Sequence, residues 1–269
     1  MKKNKIFGRV ILVLFAAIVV LPLLTLFIWM LTERYTWPNL IPNKFSLRAF
    51  NSIVFKSKDL FNTFLLSIFI SCAVSFCCVI IAILSARAFA FYDFKFKTFI
   101  SFMMLSPFLV PTTVFAMGVQ ILFLRIGLGG SVIGVIICHI IYSLPYANKL
   151  IEEGTRALGK GLEEQARVLG ASTLKAFFLV SLPNMTPVVL SAFTMSYIIS
   201  ISQYFLTLLI GGGNVKTFSV VMVPYMQSGE RNFASIYAVI FLVITIGVFL
   251  VFDTLARYYT KENKIEYFV

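Results

Sequence analysis

The sequence predicts an all-α integral membrane protein with six transmembrane helices, and three observations predict it. Of 269 residues, 59% are apolar and only 13% are charged, whereas a soluble domain carries roughly 25% charged residues. The mean hydropathy is +0.94. The charges also gather in short clusters between long apolar runs, as required when each run crosses a hydrocarbon slab that accepts no unpaired charge. At about 20 residues per crossing, the chain has room for six spans and their loops. On this reading residues 1–269 form a single transmembrane domain.

The first span is expected over about 10–31. Lys2, Lys3, Lys5 and Arg9 precede it, as in a secretory signal, but the run ends in bulky Phe27, Trp29 and Met30 without a small-residue cleavage site. It therefore reads as a retained anchor. The second span covers about 61–84 and stops before Arg87. The third, about 99–124, holds Pro107 and Pro111, so a kink or break is expected there. Gly127, Gly129 and Gly130 turn the chain into the fourth span, about 131–150, which contains Pro145. The fifth covers about 186–210 and closes on Gly211-Gly212-Gly213, and the sixth covers about 234–255.

Lys and Arg set the expected orientation, because basic residues concentrate in cytoplasmic loops. With both termini inside, cytoplasmic segments hold fifteen basic residues and external ones eight. The first external loop, 32–60, runs against the trend with Arg34, Lys44, Arg48, Lys56 and Lys58. Its Trp37, Pro38 and Pro42 suggest a small lid or interfacial segment. The net charge of +12 thus reflects topology. A basic face interleaved with aromatics, which nucleic-acid binding would need, is absent from the sequence.

The segment 152–184 is far more polar than its flanks, with charges alternating in sign. Leu162, Ala166 and Leu169 share one face of a short amphipathic helix. Gly170 stands where such a helix takes a left-handed terminating residue. A second helical segment through Leu174, Phe177, Phe178 and Val180 is expected to stop before Pro183. Periodicity alone fits a membrane-surface helix as well as a docking element for a soluble partner.

Glu164-Gln165-Ala166, three residues, Gly170, nine residues and Val180-Ser181-Leu182-Pro183 resemble the EAA loop of binding-protein-dependent ABC importer permeases. That pattern is E-A-A-x3-G-x9-I-x-L-P, and every interval matches. Gln165 replaces an Ala, placing a longer polar side chain where the family packs a methyl, and Val180 replaces Ile. The loop lies between the fourth and fifth of six spans, which resembles the type I importer core, nearest the spermidine/putrescine, iron(III) and thiamine permease branch.

The resemblance implies a transmembrane permease subunit that forms half of a pathway for a small solute. Polyamine, metal or thiamine-like solutes are the family-level candidates. It implies three partners: P-loop ATPase subunits, a second permease (the same or a related chain) and an extracytoplasmic solute-binding protein. Glu163, Glu164, Gln165, Ala166, Arg167, Leu169, Gly170, Leu182 and Pro183 are the implied ATPase-coupling residues. ATP-driven closure of the ATPase pair would then rock the permease halves between outward and inward access. The chain contains no GxxxxGK[ST] phosphate loop, so ATP and Mg are expected on the partner and no cofactor on this chain. The implied location is the bacterial cytoplasmic membrane, multi-pass, within membrane lipid and with both termini cytoplasmic.

In the fifth span Ser196, Ser200, Gln203 and Thr207 fall on one helical face and are the expected pathway lining. Helix–helix packing is the competing use of such a stripe. Polyamine permeases of the resembling branch carry acidic residues where this chain has Ser202-Gln203. His139, the single histidine, lies mid-span without a carboxylate at its depth, and is expected to be packed and hydrogen-bonded. Cys72, Cys77, Cys78 and Cys138 lie in apolar runs without metal-site spacing and read as packing residues. A secondary transporter would need intramembrane ionisable residues, and a membrane enzyme would need clustered His, Asp or Glu; neither pattern is present in the sequence.

Overall fold

A computed structural model describes residues 2–33, 44–55 and 60–266. Its helices are α1 (Lys2–Met30), α2 (Arg48–Val54), α3 (Leu60–Phe91), α4 (Lys97–Leu109), α5 (Thr112–Arg125), α6 (Val132–Leu158), α7 (Gly161–Val168) and α8 (Thr173–Ala176). A π-helical turn, Phe177–Ser181, leads into α9 (Leu182–Ser202), α10 (Phe205–Gly211), α11 (Phe218–Gln227) and α12 (Arg231–Glu266). Among the described residues, five helical stretches are long and apolar enough to cross a membrane. The pair α4–α5 meets at 106° and brings the number to six if it counts as one crossing. The cause is Pro111, whose ring excludes the preceding residue from the helical region. Val110 is accordingly extended, with φ −96° and ψ 132°.

The chain forms two compact units, Met1–Asn62 with Val221–Ile244, and Thr63–Val220 with Thr245–Val269. In the first, the loop after α1 is closed at its base. Ser46 N donates to Leu31 O at 2.8 Å, and Asn232 Nδ2 donates to Glu33 O at 3.2 Å. The Tyr225 ring stacks on Phe233 and Tyr237 at 5.5 and 5.3 Å. Trp37, Pro38, Pro42, Arg34, Lys56 and Lys58 of the expected lid lie outside the described residues.

The second unit holds the main core. Along α3, Ile70, Val74, Cys78, Ala82 and Ala86 recur every fourth residue and are buried, giving one continuous stripe on one side of the helix. They pack into a cluster with Val135, Cys138, Ala147 and Ile151 of α6 and with Met185 and Ala192 of α9. Most of these side chains are small. In a bilayer, where apolar burial between helices gains little over lipid, close backbone approach supplies the packing energy. Gly154 marks a close approach of α6 to α9, since a Cβ there would stand 2.8 Å from Val188 Cγ1. Cys78 and Cys138 serve here as fully buried packing residues.

Three helix boundaries differ from expectation. Helix α3 does not end at the expected limit of the second span but runs on past Arg87 to Phe91. The fourth extends past Leu150 to Leu158. The expected stop before Pro183 is overturned: the π turn passes directly into α9, with Leu182 N bonding Phe177 O five residues back. Pro183 sits in the first turn after this register change, where its missing N–H disturbs least.

Candidate coupling site

The coupling segment begins where α3 and α6 end side by side. Arg156 Nη2 donates to Phe89 O at 2.7 Å, and Lys160 Nζ donates to Phe91 O at 3.3 Å. These cations satisfy carbonyls that the last turn of α3 leaves open. Lys160 also lies over the rings of Phe91 and Tyr92 at 5.1 and 5.2 Å. Gly159, with φ +71°, then lets the chain turn from α6 into α7.

The adjacent glutamates of α7 face opposite ways. Glu163 is buried and meets the Arg87 guanidinium bidentately, Oε1 to Nη1 at 2.6 Å and Oε2 to Nη2 at 2.9 Å. The Ser181 hydroxyl donates to the same carboxylate. Arg87 further lies 4.8 Å from the Phe177 ring centre and 5.6 Å from that of Phe91. Hydrogen bonds from Arg87 hold the Glu163 carboxyl below its ordinary value of 4.5; burial opposes this and Ser181 adds to it. Glu164 is exposed and borders a surface depression shared with Arg167, Val168, Gly170 and Ser172.

The end of α7 is set by Gly170. Gly170 N bonds Arg167 O and Ala171 N bonds Ala166 O, both at 3.0 Å, the paired bonds of a Schellman ending. Gly170 takes φ +94°, a region that L side chains rarely adopt. This ending corrects the expected apolar face. Leu162 and Ala166 are half-buried, but Leu169 leaves the helical track at φ −78°, ψ 6° and is 89% exposed, beside Val168 at 87%. Gln165 and Arg167 are exposed, while Leu182 and Pro183 are half-buried at the start of α9. The outer surface of the segment therefore carries Glu164, Gln165, Arg167, Val168 and Leu169.

The expected pathway stripe is turned inward. Ser196 and Thr207 are fully buried and Ser200 nearly so, and only Gln203 keeps partial exposure. The helix is also interrupted at Gln203, which is extended with φ −73° and ψ 103°. His139 of α6 bridges the interruption, with Nδ1 at 2.9 Å from Ser200 Oγ and Nε2 at 3.0 Å from Thr207 Oγ1. Thr207 donates to Gln203 O at 2.8 Å, so its oxygen accepts from Nε2–H and Nδ1 accepts from Ser200. Ser196 bonds back to Ala192 O. The hydroxyls of Ser196, Ser200 and Thr207, expected to line a pathway, thus hydrogen-bond within this chain. The packed, hydrogen-bonded reading of His139 holds.

Arg87, Ser181, Arg156 and Lys160 were not among the expected coupling residues. Arg87 carried a signal, a lone cation with apolar residues on both sides, which must find a partner when the helix continues past it. Ser181 carried none.

Comparison with known proteins identifies the family and the fold. Residues 78–264 match the family described as binding-protein-dependent transport system inner membrane component. The molybdate/tungstate transport system permease protein WtpB of Pyrococcus abyssi is 30% identical over 59% of this chain and 63% of its own length. The probable sulfate transport system permease protein cysT of Prototheca wickerhamii is 25% identical over 64% of this chain and 73% of its own. The spermidine/putrescine transport system permease protein PotC of Escherichia coli is 23% identical, with coverages of 68% and 70%. A chain from the crystal structure of a bacterial ABC transporter involved in the import of the acidic polysaccharide alginate has a TM-score of 0.70 at 15% identity. That match covers 96% of this chain and 98% of the other, and shows a shared fold. The chain belongs to the binding-protein-dependent family of ABC importer permeases, as a multi-pass inner-membrane transport subunit of type I fold whose ATP hydrolysis lies on partner subunits.

Proposed function

We propose that this chain forms half of the translocation pathway of an importer for a small solute and docks its ATPase through the outer surface of α7. The observation that carries the reading is the exposure of Val168 and Leu169 at 87% and 89%, beside exposed Glu164, Gln165 and Arg167. An apolar tip held rigid by a Schellman turn and rimmed by charges suits a groove on a soluble partner. An ATPase groove is the partner that the EAA-loop spacing implies. On this reading α7 and both termini are cytoplasmic, a second permease completes the pathway, and an extracytoplasmic binding protein delivers the solute. Of the expected pathway residues, half-buried Gln203, just past the end of α9, is the one that keeps exposure, with exposed Ser202 beside it.

Substrate choice is assigned to the binding protein. The named relatives transport sulfate, molybdate or tungstate, and polyamines, solutes of opposite charge on one fold. A thermal-shift screen of the cognate binding protein against oxyanions, polyamines, metal ions and thiamine identifies the cargo. Docking is tested by co-purification: Leu169→Asp should abolish recovery of the ATPase while the permease stays folded. Undiminished recovery with Leu169→Asp, or ATP-independent uptake by this chain alone in liposomes, refutes the proposal.

A further inference from the structure

We propose that Arg87 is a positioning residue that passes displacement of α7 into α3, a role that rests on the docking reading above. Along the chain α7 is joined to α6 through Gly159 and Lys160 and to α9 through α8 and the π turn. Its links to α3 are non-covalent: Lys160 at its N-cap reaches the end of α3, and Glu163 makes the contact from within the helix. That carboxylate joins three elements at one point: α7, which carries it; α3, through the bidentate Arg87 contact at 2.6 and 2.9 Å; and the π turn, through Ser181.

The geometry suits transmission of force. A guanidinium fork on a carboxylate fixes two parallel bonds, and so resists rotation as well as separation. Arg87 lies against Phe177 at 4.8 Å and Phe91 at 5.6 Å, which limits its swing. Arg156 and Lys160 hold the last carbonyls of α3 from α6 and from the start of α7, so they brace α3 at the pivot. Arg87 reaches the body of the coupling helix. The neighbouring Glu164 points outward, so of two adjacent acids one faces the motor and the other faces the spans. Movement of the outer surface therefore reaches α3, whose fourfold stripe lines the core, as well as α9.

The test uses the permease–ATPase complex in lipid nanodiscs and compares hydrogen exchange with and without Mg-ATP plus vanadate. In the native complex, α7 (161–168) and the end of α3 (about 83–91) should both change on nucleotide trapping. With Arg87→Ala the change in α7 should persist while that in α3 becomes smaller beyond replicate error, and Arg87→Lys should restore it only in part. Arg87→Ala/Glu163→Ala, which leaves no orphaned charge at the site, should decouple α3 in the same way and covers the case in which the single variant fails to fold. A native-sized response of α3 in these variants overturns the inference. Absence of any change at α7 in the native complex overturns the docking reading instead. A merely structural role for Arg87 would lower thermal stability without separating the two responses.

Discussion

Replacing His139 with Leu separates packing from pathway in the fifth span. His139 is 1% exposed, and its two bonds, 2.9 Å to Ser200 and 3.0 Å to Thr207, tie α9 to α10 across the extended residue Gln203. Side-chain hydrogen bonds inside membrane proteins average about 0.6 kcal/mol and reach about 1.7. Thr207 keeps its bond to Gln203 O, and Ser200 can turn to a carbonyl one helical turn back. The two losses together should thus cost about 1–2 kcal/mol. Unfolding of the purified permease in mixed detergent micelles reads this directly. Pairing His139→Leu with Ser200→Ala should be non-additive by about 0.5 kcal/mol or more, because the two side chains share one bond. Additive effects, or variants of native stability with altered solute flux, would refute the internal bridge and return these residues to the pathway.

Further expectations follow from the coupling segment and the core. Because Arg87 lowers the Glu163 value in the folded state, its stabilisation is complete above the ordinary 4.5 and is lost as pH falls through the lowered value. A Tm series from neutral to acid should therefore steepen at the acid end, and Glu163→Gln should flatten it. Gly170→Ala meets no atom within 4 Å but must adopt φ +94°, so it should cost about 1–2 kcal/mol through strain alone; a Tm equal to the native value would contradict this. Gly154→Ala places a Cβ 2.8 Å from Val188 Cγ1 and should destabilise by about 1–3 kcal/mol. Val188→Ala in the same chain should recover part of that loss.

Several elements were legible because each answers to a local rule. The long apolar runs could only be membrane helices, and Pro111 broke the third because its ring acts on the residue beside it. The intervals from Glu164 through Gly170 to Pro183 marked the loop proposed for coupling, and Gly170 ended its helix with a left-handed turn as its place suggested. Helix α3 continues beyond the expected second span for a different reason. A cation closes an apolar run only when it lacks a partner, and Arg87 has one 76 residues away. Pro183 likewise stopped nothing, since the π turn before it moved its missing donor to a harmless register.

The sequence by itself determined that this chain crosses a membrane and that its third span bends at a proline, and it marked the loop proposed here to dock a soluble motor. These follow from hydropathy, ring sterics and spacing, all short-range properties of the chain. Only the tertiary structure decided which way each polar group points. Glu163 turns inward and Glu164 outward, Leu169 stays in solvent, and the hydroxyls of Ser200 and Thr207 close on His139. A helical stripe specifies that residues share a face, but what that face meets depends on distant helices, and here α6 arrived with a single imidazole to fill it.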